Sequence, residues 1–118
     1  MKGERILVAD DRANAREALS TVINIFGSKD GHKIVGEACS KEEVEALLNG
    51  GLKPSVAFVD GNFPEPGDGQ EAAGIIRKLS PETFIISLSS EPQKWGDENW
   101  VKNFTGEEFV EALTELQH

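Results

Sequence analysis

The chain is poor in cysteine, in cationic residues and in long apolar runs, and each shortage narrows what it can be. Cys39 is the only cysteine, so no disulfide can form within the chain. It follows an apolar stretch, and the expectation is a buried, unreactive thiol. No run approaches the length of a membrane span, and the N-terminus has no apolar block followed by small residues. The reading is a cytoplasmic protein with no membrane insertion. Lys and Arg number 12 against 21 Asp and Glu, a formal charge of −9. Binding nucleic acid through its phosphates needs clustered Lys and Arg, so nucleic acid is set aside as a partner. The acidic balance fits an acidic pocket or a basic partner surface, and charge alone does not separate them.

Repeats, low-complexity tracts and linkers are missing too, as are Ser-His-Asp, zinc-ligand and nucleotide-loop arrangements. His32 and His118 stand isolated, which gives no support to metal or acid–base roles for either. What is there is 118 residues, 38% apolar and 28% charged. That describes one globular domain, 1–118, long enough to bury a core.

Short apolar runs alternate with segments of helical period, the pattern of a parallel sheet covered by helices on both faces. Arg5–Ala9 reads as the first strand. Ala15, Ala18, Leu19, Val22 and Phe26 then recur at helical spacing, up to Gly27. Lys33–Ala38 reads as the second strand, and Ser40 with Glu43 forms a capping-box pair before a helix burying Val44, Leu47 and Leu48. Val56–Val59 is almost wholly apolar and is expected at the sheet centre. A Gly- and Pro-rich loop leads to a helix with Ala72, Ile75, Ile76 and Leu79. Phe84–Leu88 and Trp100–Lys102 read as the last two strands. A final helix, opened by Thr105 and Glu108, carries Phe109, Val110, Leu113 and Leu116. Between Ser89 and Asn99 the chain is too short for a full crossover helix, and Pro92 and Gly96 weaken one further.

In an open parallel sheet, ligands sit outside the carboxyl ends of the strands. Asp10 and Asp11 follow the first strand and Asp60 ends the third. If these strands are neighbours, the carboxylates converge, and their mutual repulsion calls for protons or a cation. Mg²⁺ suits such a set, taking one or two carboxylates, a carbonyl and further oxygens. Taken singly, Asp11 also reads as a helix cap and Asp60 as a turn residue.

Asp10-Asp11 after Ile6-Leu7-Val8-Ala9, Asp60 after Val56-Ala57-Phe58-Val59, Ser89-Ser90-Glu91 after the fourth strand, and Lys102 in Trp100-Val101-Lys102 together resemble the receiver domains of two-component signalling. The resemblance runs from Arg5 to Leu116. It implies a doubly wound, flavodoxin-like α/β fold with a five-stranded parallel sheet of order 2-1-3-4-5, of which this chain would have the fourth crossover helix short or absent because its segment is so brief. It implies that Asp60 takes a phosphoryl group from the phosphohistidine of a histidine kinase or histidine phosphotransfer protein. Asp11 and Asp60 would bind Mg²⁺ directly, with Asp10 assisting through water and the Asn62 carbonyl completing the protein ligands. Lys102 would pair with the phosphoryl oxygens and Ser89 would donate a hydrogen bond to them. Such a module signals to a downstream protein partner and is not an enzyme in the usual sense, although receivers catalyse their own phosphorylation and dephosphorylation.

Four departures from the family pattern stand out. The Asp68-Gly69 pair comes one residue late after Pro64, which predicts an outward bulge. Lys102 precedes Asn103 instead of proline, which predicts a trans bond, since a cis form without proline costs about 2.5–4 kcal/mol. Asn99 stands where the switch aromatic is usual, and adjacent Trp100 falls on the opposite strand face. The shortened fourth helix removes surface that receivers commonly present, and Trp95 and Trp100 lie there, either packed over the sheet or forming a partner patch. Two further classes remain. One is a pseudo-receiver that binds partners without phosphorylation. The other is a haloacid-dehalogenase-like hydrolase, which wants an aspartate where Asn62 stands.

Overall fold

The apolar runs pair side by side, all in the same direction. A computed structural model describes residues 3–61, 67–89, 95–101 and 106–116. Its strands are β1 (Arg5–Ala9), β2 (Lys33–Ala38), β3 (Val56–Asp60), β4 (Phe84–Ser89) and β5 (Glu98–Val101), in the order β2-β1-β3-β4-β5. Its α-helices are α1 (Ala13–Val22), α2 (Lys41–Asn49), α3 (Asp68–Leu79) and α4 (Gly106–Glu115). This is the flavodoxin-like doubly wound sheet that the resemblance implies. β3 is buried along its whole length, so no residue in it needs a solvent-facing polar side chain.

Strand alternation splits the core into two layers. Ile6, Val8, Val56, Phe58, Ile86 and Leu88 face α1 and α4, where they meet Phe109, Val110 and Leu113. Leu7, Ala9, Ala57, Val59 and Ile85 face α2 and α3, where they meet Val44, Leu48, Ala72, Ala73 and Ile76. The second layer is also tied from outside. Lys41 on α2 binds Asp68 at 3.2 Å and also Glu71, both on α3, and this pairing pushes its pKa up to about 12, Glu71 contributing most.

The cap of α2 forms as expected, with one difference. Ser40 Oγ accepts the Glu43 N–H at 3.2 Å, but Glu43 Oε1 reaches back to the N–H of Cys39, at 2.7 Å, rather than to that of Ser40. Cys39 itself corrects the expectation of a buried thiol: it is exposed. Ala38 is the last inward residue of edge strand β2, and one step further the side chain points outward. A hydrogen bond to the Glu43 carboxylate raises the pKa of the thiol, which keeps it protonated and unreactive.

The first helix is the least buried. None of the α1 residues is buried, and Ala18 is exposed. After Val22 the helix widens into a π turn over Ile23–Gly27 and then tightens into a 3-10 turn over Ser28–Asp30. Widening shifts the phase of the apolar stripe. Ile23 becomes fully buried, whereas Ile25 is 65% and Phe26 39% exposed. The helical spacing that links Phe26 to Val22 is thus broken, and Ile23 takes the inward place. His32 is a satisfied core histidine. Its Nδ1 accepts the Glu4 N–H at 3.0 Å, which puts the proton on Nε2, 3.0 Å from Thr114 Oγ1. Burial is the main cause of its lowered pKa.

No helix is present among the described residues between β4 and β5. Instead Trp95, Gly96 and Asp97 run as a strap along β4. Asp97 exchanges two bonds with Ile85: its N–H donates to the Ile85 carbonyl at 2.7 Å, and its Oδ2 accepts the Ile85 N–H at 2.8 Å. Arg77 on α3 clamps the strap, donating to the Trp95 carbonyl at 2.8 Å and pairing with Asp97 at 3.3 Å. A Cβ on Gly96 would lie 2.8 Å from the Glu98 carbonyl and 3.1 Å from the Ser87 nitrogen, so only glycine lets the strap lie this close. β5 therefore starts at Glu98, two residues before the predicted Trp100.

The two tryptophans go to opposite faces. Trp100 is buried beside Phe58 and Phe109, at ring-centroid separations of 5.6 and 5.4 Å. Trp95 is half-buried and packs on the α2/α3 layer. Both take the packing option of the two the sequence left open. Within the described residues no helix is long and apolar enough to cross a membrane.

Candidate functional site

β1 and β3 pair directly, with Ala9 opposite Val59, so the residues that follow share one end of the sheet. The Asp10 N–H bonds the Ala38 carbonyl at 3.0 Å, which carries the β1–β2 ladder one step past the strand. The Gly61 N–H bonds the Leu88 carbonyl at 3.0 Å, which does the same beyond Asp60. Both aspartates are thus fixed through their main chains. Asp10 is 5% and Asp60 7% exposed, while Asp11 faces solvent. One carboxylate oxygen from each of the three lies within 4.8 Å of the others. The N-terminal cap position of α1 is Arg12, with no side-chain cap, so Asp11 is not the cap.

Two arginines absent from the sequence expectation join this cluster. Arg12 embraces Asp10: its main-chain N–H donates to Oδ1 at 3.0 Å, its Nε–H to Oδ1 at 3.3 Å and a terminal N–H to Oδ2 at 3.3 Å. The hydrogen bond and charge of Asp10 raise the Arg12 pKa, burial opposes this, and Asp60 and Asp11 add to it from further away. Arg16 donates to the Asp10 carbonyl at 2.7 Å and pairs with Glu37 at 3.5 Å. Only the spacing of two residues after Asp10 could have signalled Arg12, and most arginines at such spacing are simply solvated.

Gly69 is a third residue the sequence did not single out for the site. A Cβ there would lie 2.4 Å from the Asp60 carbonyl oxygen, 3.0 Å from that of Gly61 and 3.0 Å from Trp95 Cζ2. The start of α3 therefore rests directly on the main chain of Asp60. Gly67, at φ 95°, makes the left-handed turn into that helix.

Ser89 ends β4, is buried, and lies one step beyond the Leu88 that pairs with Asp60. Asn99 pairs with Ser87, whose hydroxyl donates to Asn99 Oδ1 at 2.6 Å, and Trp100 faces the other side, as strand alternation requires. Asn62, Pro64 and Lys102, the outward bulge before Asp68 and the Lys102–Asn103 bond lie outside the described residues.

The donor set fits a hard divalent cation. Such an ion prefers carboxylate and carbonyl oxygens, and three carboxylate oxygens within 4.8 Å of one another are close enough to share one, directly or through its bound water.

No protein-family model matches the chain, and no curated protein sequence matches it. Solved structures do. The signal receiver domain of NarL from Mycobacterium tuberculosis is 25% identical, with a TM-score of 0.75, over 96% of this chain and 94% of that one. The response regulator domain of Thermotoga maritima CheB is 29% identical, with a TM-score of 0.68, over 87% and 81%. A response regulator protein from Burkholderia pseudomallei, solved with a phosphorylated aspartic acid, calcium ion and citrate, is 19% identical, with a TM-score of 0.73; the match spans 93% of this chain and 64% of that one. The chain has the receiver-domain fold of response regulators.

Proposed function

We propose that this chain is a single receiver domain, 1–118, that accepts a phosphoryl group on Asp60 in a cytoplasmic two-component or phosphorelay system. The observation that carries the reading is the convergence of Asp10, Asp11 and Asp60 at the joined ends of β1 and β3. A carboxylate oxygen of Asp60 attacks the phosphorus of a phosphohistidine, the P–N bond breaks, and the imidazole leaves with the bonding electrons. Asp60 suits this role because the bonds flanking it hold its main chain still. Mg²⁺, held by Asp11, Asp60 and the Asn62 carbonyl with Asp10 assisting through water, would supply positive charge for the phosphoryl oxygens. Lys102 would add a compact cation and Ser89, at the end of β4, a hydroxyl donor. The metal-bound, aspartyl-phosphorylated relative supports this assignment by analogy of fold. The donor is a histidine kinase or a histidine phosphotransfer protein, and the output is a protein contact.

Incubation with Mg²⁺ and acetyl phosphate or phosphoramidate should add one phosphoryl group, read by intact mass, that is absent in Asp60→Asn. No modification together with no measurable Mg²⁺ binding would overturn the reading. A phosphorylation-independent interaction module is the second reading. It is favoured by Asn99 in the switch position, held by Ser87, and by Trp100 sealed in the core. Phosphorylation without any change in the amide spectrum beyond the immediate site would select it.

A further inference from the structure

We infer that Arg12 is a built-in competitor for the metal centre: its guanidinium holds Asp10, and a divalent cation gains that carboxylate only as Arg12 lets go. This rests on the metal-centre reading above and adds a residue that sets how readily the centre fills. Arg12 engages both carboxylate oxygens of Asp10, at 3.0 and 3.3 Å on Oδ1 and 3.3 Å on Oδ2. These bonds take three of the roughly four lone-pair sites of the carboxylate, so a cation or its bound water has to share Asp10 with the guanidinium and reaches it fully only when the guanidinium leaves.

The pair is asymmetric in a way that allows exchange. The Asp10 side chain is 7% exposed, while that of Arg12 is 53% exposed. Asp10 is also fixed through its main chain, by Ala38 on the N–H and by Arg16 on the carbonyl. The acid therefore stays and the guanidinium moves, swinging into water at little cost because half of it is already there. A long side chain on a half-exposed ion pair gives a modest barrier, suited to a competitor that tunes affinity rather than abolishing it. The main-chain N–H of Arg12 remains on Oδ1 whatever its side chain does, so releasing the guanidinium need not disturb the turn into α1.

The effect is separable from a general field of positive charge. Lysine keeps the charge but lacks the planar fork that grips two oxygens, so Arg12→Lys weakens the grip while leaving the field. Mg²⁺ titrations by calorimetry on the full chain should compare wild type, Arg12→Lys and Arg12→Gln at low salt and at 0.5 M salt. Circular dichroism melts would check that each variant is folded. The expected order is tightest binding in Arg12→Gln, about fivefold over wild type, with Arg12→Lys recovering much of the gain. The difference should persist at 0.5 M salt, where long-range fields are largely screened.

Equal affinity in wild type and Arg12→Gln would overturn the inference, as would weaker binding in Arg12→Gln. Arg12→Lys matching wild type while Arg12→Gln binds more tightly would also overturn it, leaving Arg12 as a distant charge only. Those three results leave the metal centre standing. Absence of Mg²⁺ binding in wild type and both variants would remove the metal centre and the competitor together.

Discussion

At the ends of β1 and β3, buried strands carry three carboxylates to within 4.8 Å and hold two of them by main-chain bonds on either side. At the β4–β5 edge, the described part of the connection is a strap of three residues, held by one arginine and one aspartate side chain. The first region is set by register in the middle of the sheet, where a slip would turn every core side chain outward. The second is set by polar contacts at a rim, where many solutions close the sheet equally well. Chemistry at the centre can thus be kept while the edge that would transmit it is rebuilt.

Substitutions can break this comparison. The largest effect is expected from Trp100→Ala, which empties the space beside the touching rings of Phe58 and Phe109 and should cost about 3–5 kcal/mol in urea denaturation. If centre and edge are independent, Asp60 in the folded variant is still phosphorylated by acetyl phosphate at near wild-type rate. Loss of phosphorylation in a variant still folded would join the two regions.

Gly69→Ala tests the seam from the other side. Its methyl would meet the Asp60 carbonyl, and relief by shifting β3 or α3 should cost about 1–3 kcal/mol. On the proposed function, phosphorylation should slow with it, since the main chain of Asp60, the proposed nucleophile, moves. A stability loss with an unchanged rate would show that the carboxylate tolerates displacement of its own main chain.

Arg77→Ala removes the clamp on the strap. The expected loss is about 1 kcal/mol or less, because the pair is half-exposed. Hydrogen exchange at the Asp97 amide should rise while the Asp60 rate stays put. Exchange that stays slow would place the hold in Asp97 and Ile85 alone.

The smallest effect concerns pH. The pKa of His32 is depressed in the folded chain, chiefly by burial, partly offset by Glu4 and Asp30 and reinforced by the N-terminal amine. The unfolded chain therefore binds its proton first. The stabilising contribution is complete above the ordinary value of 6.5 and is lost as pH falls through the folded value. Melting temperature should decline between pH 7.5 and 5 more in wild type than in His32→Asn, whose amide oxygen can still accept the Glu4 N–H. Parallel declines would assign the acid sensitivity to the carboxylates.

The strands themselves were legible because alternation and strand ends are local patterns. Their order, and with it the meeting of Asp10, Asp11 and Asp60, came from the resemblance to receiver domains, since no local pattern says which strands are neighbours. The helical spacing that groups Phe26 with Ala15, Ala18, Leu19 and Val22 does not hold past Val22, because a π turn changes the period from within and no residue type announces it. Cys39 was misplaced by one step at a strand end, where inward becomes outward. The start of β5 was missed because Glu98 and Asn99 are polar and owe their strand geometry to β4. Arg12, Arg16 and Gly69 were passed over because each acts through a neighbour's main chain or carboxylate, a relation that exists only once the chain is folded.

The placement of the two tryptophans gives the molecule an internal optical pair. Trp100 sits among aromatic rings with 7% of its surface in water, and its emission should stay blue and constant. Trp95 lies against Gly69, which abuts the Asp60 main chain, so its emission should follow any displacement of that end of β3. One indole is a reference and the other a probe, and single Phe replacements at each position would let unlabelled protein report movement at Asp60, the proposed acceptor, in real time.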